Sequence, residues 1–95
     1  MIERKYIILH SKDNCATSLK NIPQGIQIKF LEETIVIAQE IQMGHKFALN
    51  NINIGDKIIK YGEIIGIATV DIKKGEWIHT HNIKSANLGV KTDGR

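Results

Sequence analysis

Cysteine, proline and aromatic residues are scarce, at 1, 1 and 5 of 95 positions. The lone Cys15 excludes an internal disulfide framework and a four-cysteine zinc site, so a reduced, cytoplasmic setting is expected. A single proline, with 42% hydrophobic and 24% charged residues, excludes a disordered linker and a collagen-like repeat. Tyr6, Phe30, Phe47, Tyr61 and Trp77 are far apart, so they form no obvious stacking platform. Charge is scattered as well. The formal net charge is +3 and no basic run exceeds Lys73-Lys74, which argues against a nucleic-acid partner. Long apolar runs are also missing. Ile7 to Leu9 is too short for a signal segment or a membrane span, so no membrane is expected.

Isoleucine is what the chain has in excess, at 19 of 95 positions. So much β-branched side chain favours strands, and this length fits one small domain with a modest core. Period-2 alternation is clearest in Ile26 to Phe30. Further strands are expected at Lys5 to Leu9, Thr34 to Ala38, Lys57 to Lys60, Ile64 to Val70 and Glu76 to His79. One short helix is expected over Asn14 to Asn21. Asp13 would be its N-cap, Cys15 and Leu19 would share one face, and Ile22-Pro23 would stop it. The fold class is therefore mainly β, with residues 1–83 as the domain. Residues 84–95 form a polar C-terminal tail, mobile or serving as a docking arm.

The pattern Ile-x-x-Gly-x-x-apolar recurs four times, at Ile22 to Ile28, Ile41 to Phe47, Ile52 to Ile58 and Ile72 to Ile78. Glycine permits the positive φ that a tight turn needs, and a new strand should start after each copy. The repeat speaks of fold rather than function: short strands joined by similar turns.

Four groups of residues could carry chemistry. In His79-Thr80-His81-Asn82, an extended backbone would put both imidazoles on one side, roughly 6–7 Å apart. They could converge on a metal or a substrate, or be two exposed histidines at a strand end. His45 and Lys46, after Gly44, could face an anion or belong to a solvated turn anchored by Phe47. Lys60, before Tyr61-Gly62, could pair with a carboxylate or lie on a solvated hairpin. Lys12-Asp13-Asn14 could offer free amides to an anion, but a capping role for Asp13 is simpler. Cys15 reads as a buried structural thiol.

Together these segments resemble the amino-terminal domain of the altronate and galactarate dehydratase family. The likeness runs through Lys12-Asp13-Asn14, Ile22-Pro23-x-Gly25, Gly44-His45-Lys46-Phe47-Ala48, Ile58-x-Lys60-Tyr61-Gly62, Ile65-Gly66-x-Ala68, Ile72-x-x-Gly75-Glu76 and His79-Thr80-His81-Asn82. It covers most of positions 8 to 83.

The resemblance implies a small β-clip fold of the SAF type, in agreement with the repeated glycine turns. It also implies β-elimination of water from a sugar acid to give a 2-keto-3-deoxy acid, assisted by a divalent metal, iron or manganese. His79 and His81 would face the active site as metal ligands or as an acid/base pair. His45, Lys46, Lys60 and Asn82 would bind substrate. Two neighbouring histidines cannot fill a metal shell, so the missing ligands and the main base would sit on a large catalytic partner subunit.

The chain would then be a separate small subunit, or a truncated piece, with little activity alone. Without its partner it could self-associate through an uncovered apolar patch. Two alternatives stand beside this: a sulfolactate sulfo-lyase small subunit, with sulfite as the leaving group, and a non-catalytic module that binds sugar acids or proteins.

Overall fold

The computed structural model describes residues 4–85. Over that span the isoleucine-rich segments form short antiparallel strands and no helix. The strands are β1 (Tyr6–Ile7), β2 (Cys15–Ser18), β3 (Gln27–Phe30), β4 (Glu33–Val36), β5 (Lys46–Ala48), β6 (Lys57–Lys60), β7 (Glu63–Ala68), β8 (Trp77–Ile78) and β9 (Ile83–Ser85). They make a four-stranded sheet in the order β1-β2-β5-β8, a β3-β4 hairpin and a β6-β7-β9 sheet.

The mainly β expectation holds, but the helix over Asn14 to Asn21 does not form. Its centre is β2, which pairs with β1 and β5 (Tyr6↔Ser18, Cys15↔Ala48). Eight residues give a marginal helix on their own, whereas β2 buries both faces of Cys15-Ala16 between two cores. Cys15 is buried as expected, while Leu19, placed beside it in the helical reading, is 41% exposed. β5 and β9 were not among the expected strands, although the Gly44 turn implies a strand start near β5. Lys84 and Ser85, assigned to the tail, belong to β9, and residues 86–95 lie outside the described span.

The repeated pattern builds four turns of one kind. In each, the fourth residue donates its amide to the carbonyl of the first: Ile26 to Pro23, His45 to Gln42, Asp56 to Asn53 and Glu76 to Lys73. The glycines at the third position have φ between 88° and 91°, as a type II turn demands. The turns meet in pairs through reciprocal amide–carbonyl bonds, Ile22 with Ile41 and Ile52 with Ile72. The acidic residue after the last two glycines caps its own turn. Asp56 accepts from the Asn53 amide and Glu76 from the Lys73 amide.

Paired turns reveal a larger repeat. Gly25 donates to Ile37 and Ile37 to Ile26. Thirty or thirty-one positions on, Gly55 donates to Ala68 and Ala68 to Asp56. The extra residue enters where the β6-β7 register shifts between Ile58 and Ile59. The four-stranded sheet therefore lies between two related hairpins. The β3-β4 hairpin covers Ala16 and Phe47 with Ile28 and Ile35, forming one core. The β6-β7 hairpin covers Cys15 and Ala48 with Ile58 and Ala68, forming the other. This sandwich decides which face each functional side chain can reach.

Candidate functional site

In antiparallel β5 and β8, Phe47 opposes Trp77 and Lys46 opposes Ile78. One step further along that register places His45 across from His79. Both follow the face of Phe47 and Trp77, because side chains alternate along a strand. Their rings are 5.5 Å apart between centroids. Trp77 packs against three imidazoles: stacked on His79 at 5.1 Å, tilted on His81 at 4.9 Å and tilted on His45 at 5.6 Å.

The indole N–H donates to His45 Nδ1 over 3.1 Å. An indole nitrogen can only donate, so His45 Nδ1 is unprotonated and the neutral ring carries its hydrogen on Nε2. The His45 carbonyl accepts from the Ser18 amide at 2.8 Å and from the Ser18 hydroxyl at 3.0 Å. Ser18 thus fixes the residue whose ring Trp77 orients.

His79 and His81 reach the indole by another route than the sequence reading supposed. The strand ends at Ile78, and residues 79–82 form a turn closed by Asn82 and Ile83 amides donating to the His79 carbonyl. Asn82 locks this turn. Its side-chain oxygen accepts from the His79 amide at 3.0 Å, and its Nδ2 donates to the Trp77 carbonyl at 2.8 Å. Asn82 is 5% exposed, so its amide group serves the backbone. The rings of His79 and His81 are on exposed residues, and their nitrogens have no hydrogen-bond partner among the described residues.

Two small cavities flank Trp77. One of about 160 Å³ is lined by Glu40, Gln42, His45 and Trp77. The other, about 260 Å³, includes Asp71, Glu76, Trp77, His81 and Asn82. A larger open groove between β1 and β3 contains none of the expected site residues. Among the described residues, no three His, Cys, Asp or Glu side chains are grouped to hold a metal ion. His79 and His81 fit a metal as free imidazole donors, but they make an incomplete set.

Lys46 and Lys60 are not part of this cluster. Lys46 leaves the opposite face of β5, toward the core that contains Cys15 and Ala48. Lys60 ends β6, with its Nζ 5.4 Å from the centre of the Tyr61 ring. Asp13, expected to cap a helix, instead accepts the Gly62 amide at 2.8 Å. Gly62 has φ +73°, and a Cβ there would meet the His10 ring at 2.9 Å. Trp77 is absent from the sequence-based candidates, whereas Asp13 is among them as a helix cap and turns out to hold the Gly62 amide. The available signal for Trp77 was its two-residue spacing from His79 along one strand face.

The Cys15 thiol is pushed from 9.0 up to about 11, chiefly by burial. Lys46 and Lys60 pull it back and Asp13 adds to the rise. A raised folded-state value means that the neutral thiol stabilises the fold fully below pH 9, and this is lost as pH rises through about 11. The loss is on the order of 2–3 kcal/mol. Burial, and then Lys60, lowers the Lys46 value, so its contribution changes in the opposite direction as pH rises toward 10.5. Urea unfolding at pH 8 and pH 11 should show a smaller alkaline loss for Cys15→Ala than for the parent. An equal loss would contradict the burial account.

A family model for the altronate/galactarate dehydratase SAF domain matches residues 4–86. The chain is 38% identical over 81 residues to altronate dehydratase of Escherichia coli (strain K12), spanning 85% of this chain and 16% of that protein. It is 39% identical over 82 residues to altronate dehydratase of Bacillus subtilis (strain 168), again spanning 16% of the relative. It is 46% identical over 46 residues to (2R)-sulfolactate sulfo-lyase subunit alpha of Paracoccus pantotrophus, spanning 48% of this chain and 69% of that protein. No helix among the described residues is long and apolar enough to cross a membrane. On a match that takes in every described residue, the chain belongs to the altronate/galactarate dehydratase SAF domain family.

Proposed function

We propose that this chain is the small, site-completing unit of a cytoplasmic sugar-acid dehydratase. The observation that carries the reading is the packing of His45, His79 and His81 around Trp77 on a domain of this family. The reaction removes a proton from the carbon beside a carboxylate and expels the neighbouring hydroxyl as water. The enol left behind becomes a 2-keto-3-deoxy acid.

His79 and His81 offer uncommitted ring nitrogens at the surface, suited to metal ligation or to proton transfer. His45, with Nδ1 occupied by Trp77, presents Nε2–H as a donor to a substrate oxygen. Asn82 serves by holding the turn that carries both outer imidazoles. A divalent ion, iron or manganese, would supply Lewis-acid stabilisation of the charge that develops on the substrate carboxylate. The remaining ligands and the main base lie on a large catalytic partner. The 16% coverage of the altronate dehydratases supports a unit that works beside a much larger one.

The test is to recover the tagged chain from its own host and assay what comes with it. A complex given ferrous iron and hexonates or hexarates is expected to form a 2-keto-3-deoxy acid, with little turnover by the chain alone. Sulfite release from sulfolactate would favour the sulfo-lyase reading, which the 46% identity to the alpha subunit also supports. A chain recovered without a partner or turnover would leave only a binding module.

A further inference from the structure

The two related hairpins differ at their outer edges. β3 (Gln27–Phe30) and β6 (Lys57–Lys60) hold equivalent places, so Gln27 corresponds to Lys57 and Lys29 to Ile59. The β6 edge is capped. The Asn14 amide donates to the Ile59 carbonyl at 3.2 Å, the Ile59 amide donates to Asn14 Oδ1 at 2.8 Å, and Asn14 Nδ2 donates to the Lys57 carbonyl at 2.9 Å. The β3 edge has no such cap. Ile37 donates to the Ile26 carbonyl, so Ile26 faces β4, and by alternation the main chain of Gln27 and Lys29 faces away from it. The Lys29 carbonyl accepts the Tyr6 hydroxyl at 3.1 Å. The Lys29 amide and the Gln27 amide and carbonyl have no partner among the described residues.

This uncapped edge is one wall of the open groove between β3 and β1, about 640 Å³ in volume. The other wall is also a strand edge. The Lys5 carbonyl accepts from the Leu19 amide, so Lys5 and Ile7 face β2, and the main chain of Tyr6 and Ile8 turns outward. Unpaired amides and carbonyls on an edge are a template for a further strand. The charge on the groove has one sign. Arg4, Lys5 and Lys29 line it, all exposed and none in an ion pair among the described residues, and no acidic side chain lines it. Like charges keep two copies of this chain from pairing through these edges, and they favour an incoming carboxylate. Residues 86–95 carry Lys91 and Arg95 against Asp93, so they do not supply an acidic strand.

We infer that the groove between β1 and β3 takes up an extended, acidic segment of another polypeptide, which adds to the free edge of β3. Its main chain pairs with Gln27 and Lys29 as Asn14 pairs with Lys57 and Ile59 in the other hairpin. Its carboxylates meet Arg4, Lys5 and Lys29. The inference does not rest on the dehydratase reading, so an assembled complex without turnover would leave it standing.

The test titrates the full chain with an acetylated, amidated heptapeptide of alternating glutamate and valine, followed by amide NMR and hydrogen exchange. Saturating shifts are expected at residues 4–8 and 27–29, with exchange of the Lys29 amide slowed about tenfold or more. Arg4→Glu and Lys29→Glu should each weaken binding about tenfold or more. Lys57→Glu, on the capped edge of the other hairpin and equally exposed, should change it little. Tyr6→Phe frees the Lys29 carbonyl and should bind at least as tightly as the parent.

A lysine–valine heptapeptide that binds equally well would overturn the charge argument. Shifts without slower exchange at Lys29, or equal binding of a single-stranded oligodeoxythymidylate, would make the groove a general anion surface and overturn strand addition. Glutamate variants that bind as the parent does would overturn the location.

Discussion

Gly75→Ala is expected to destabilise the fold by roughly 3–5 kcal/mol, a large share of the 5–15 kcal/mol that holds a domain of this size together. Two costs add. The position has φ +91°, which an L side chain adopts with strain. The new methyl would also fall onto the Val36 carbonyl, with Ile35 Cγ2 at 3.4 Å. That carbonyl belongs to β4 and cannot swing aside as a long side chain could, because Ala38 donates to Gly75 and Gly75 donates to Ala48 close by. Gly25→Ala and Gly55→Ala provide internal controls. They share the positive φ but have nothing within 4 Å of the added carbon, so each should cost only about 1–2 kcal/mol. Chemical unfolding of the three variants decides the matter. If Gly75→Ala is no worse than Gly55→Ala, the close approach of the fourth turn to β4 is wrong.

His79→Ala or His81→Ala should each lower turnover of the assembled enzyme by about a hundredfold or more, the range seen when a positioned acid, base or ligand-bearing imidazole is lost. Both residues are exposed and make no ring hydrogen bond among the described residues, so neither change should cost much stability. Asn82→Ala separates positioning from chemistry. It removes two bonds that close the 79–82 turn, leaves both imidazoles present, and should lower activity together with about 1–3 kcal/mol of stability. The single tryptophan reports on the same geometry without a partner. His79 stacks on Trp77, so His79→Ala should change the fluorescence of the isolated chain. Full turnover in both histidine variants would falsify their proposed role.

The strands were legible where burial is one-sided or where a turn marks a start. Ile26 to Phe30 alternates because one face of its hairpin meets a core, and Lys57 to Lys60 was read with its final boundaries. β2 was misread because Cys15 and Ala16 are covered on both faces. A segment buried on both sides shows no period-2 signal, and Asp13 before it imitates a helix cap. Asp13 and Asn14 spend their side chains on β6, some forty-five residues away, which no local pattern can announce. The candidate site was half legible for a related reason. A spacing of two just after the strand brought out His79 and His81, but they lie in the turn that follows β8, and the indole that gathers them is seen only when β8 lies beside β5.

By itself, the sequence determined the class of fold, the four glycine turns and the imidazole-bearing segments. These depend on local chemistry: β-branched side chains favour strands, and glycine alone tolerates the turn geometry. Tertiary structure decided which faces those residues share. The register of β5 with β2 and β8 sends His45 toward Trp77 and Lys46 toward Cys15, although the two are adjacent in the chain. A strand alternates its side chains, so neighbours in sequence part company at the sheet, and only the pairing partner fixes where each one goes.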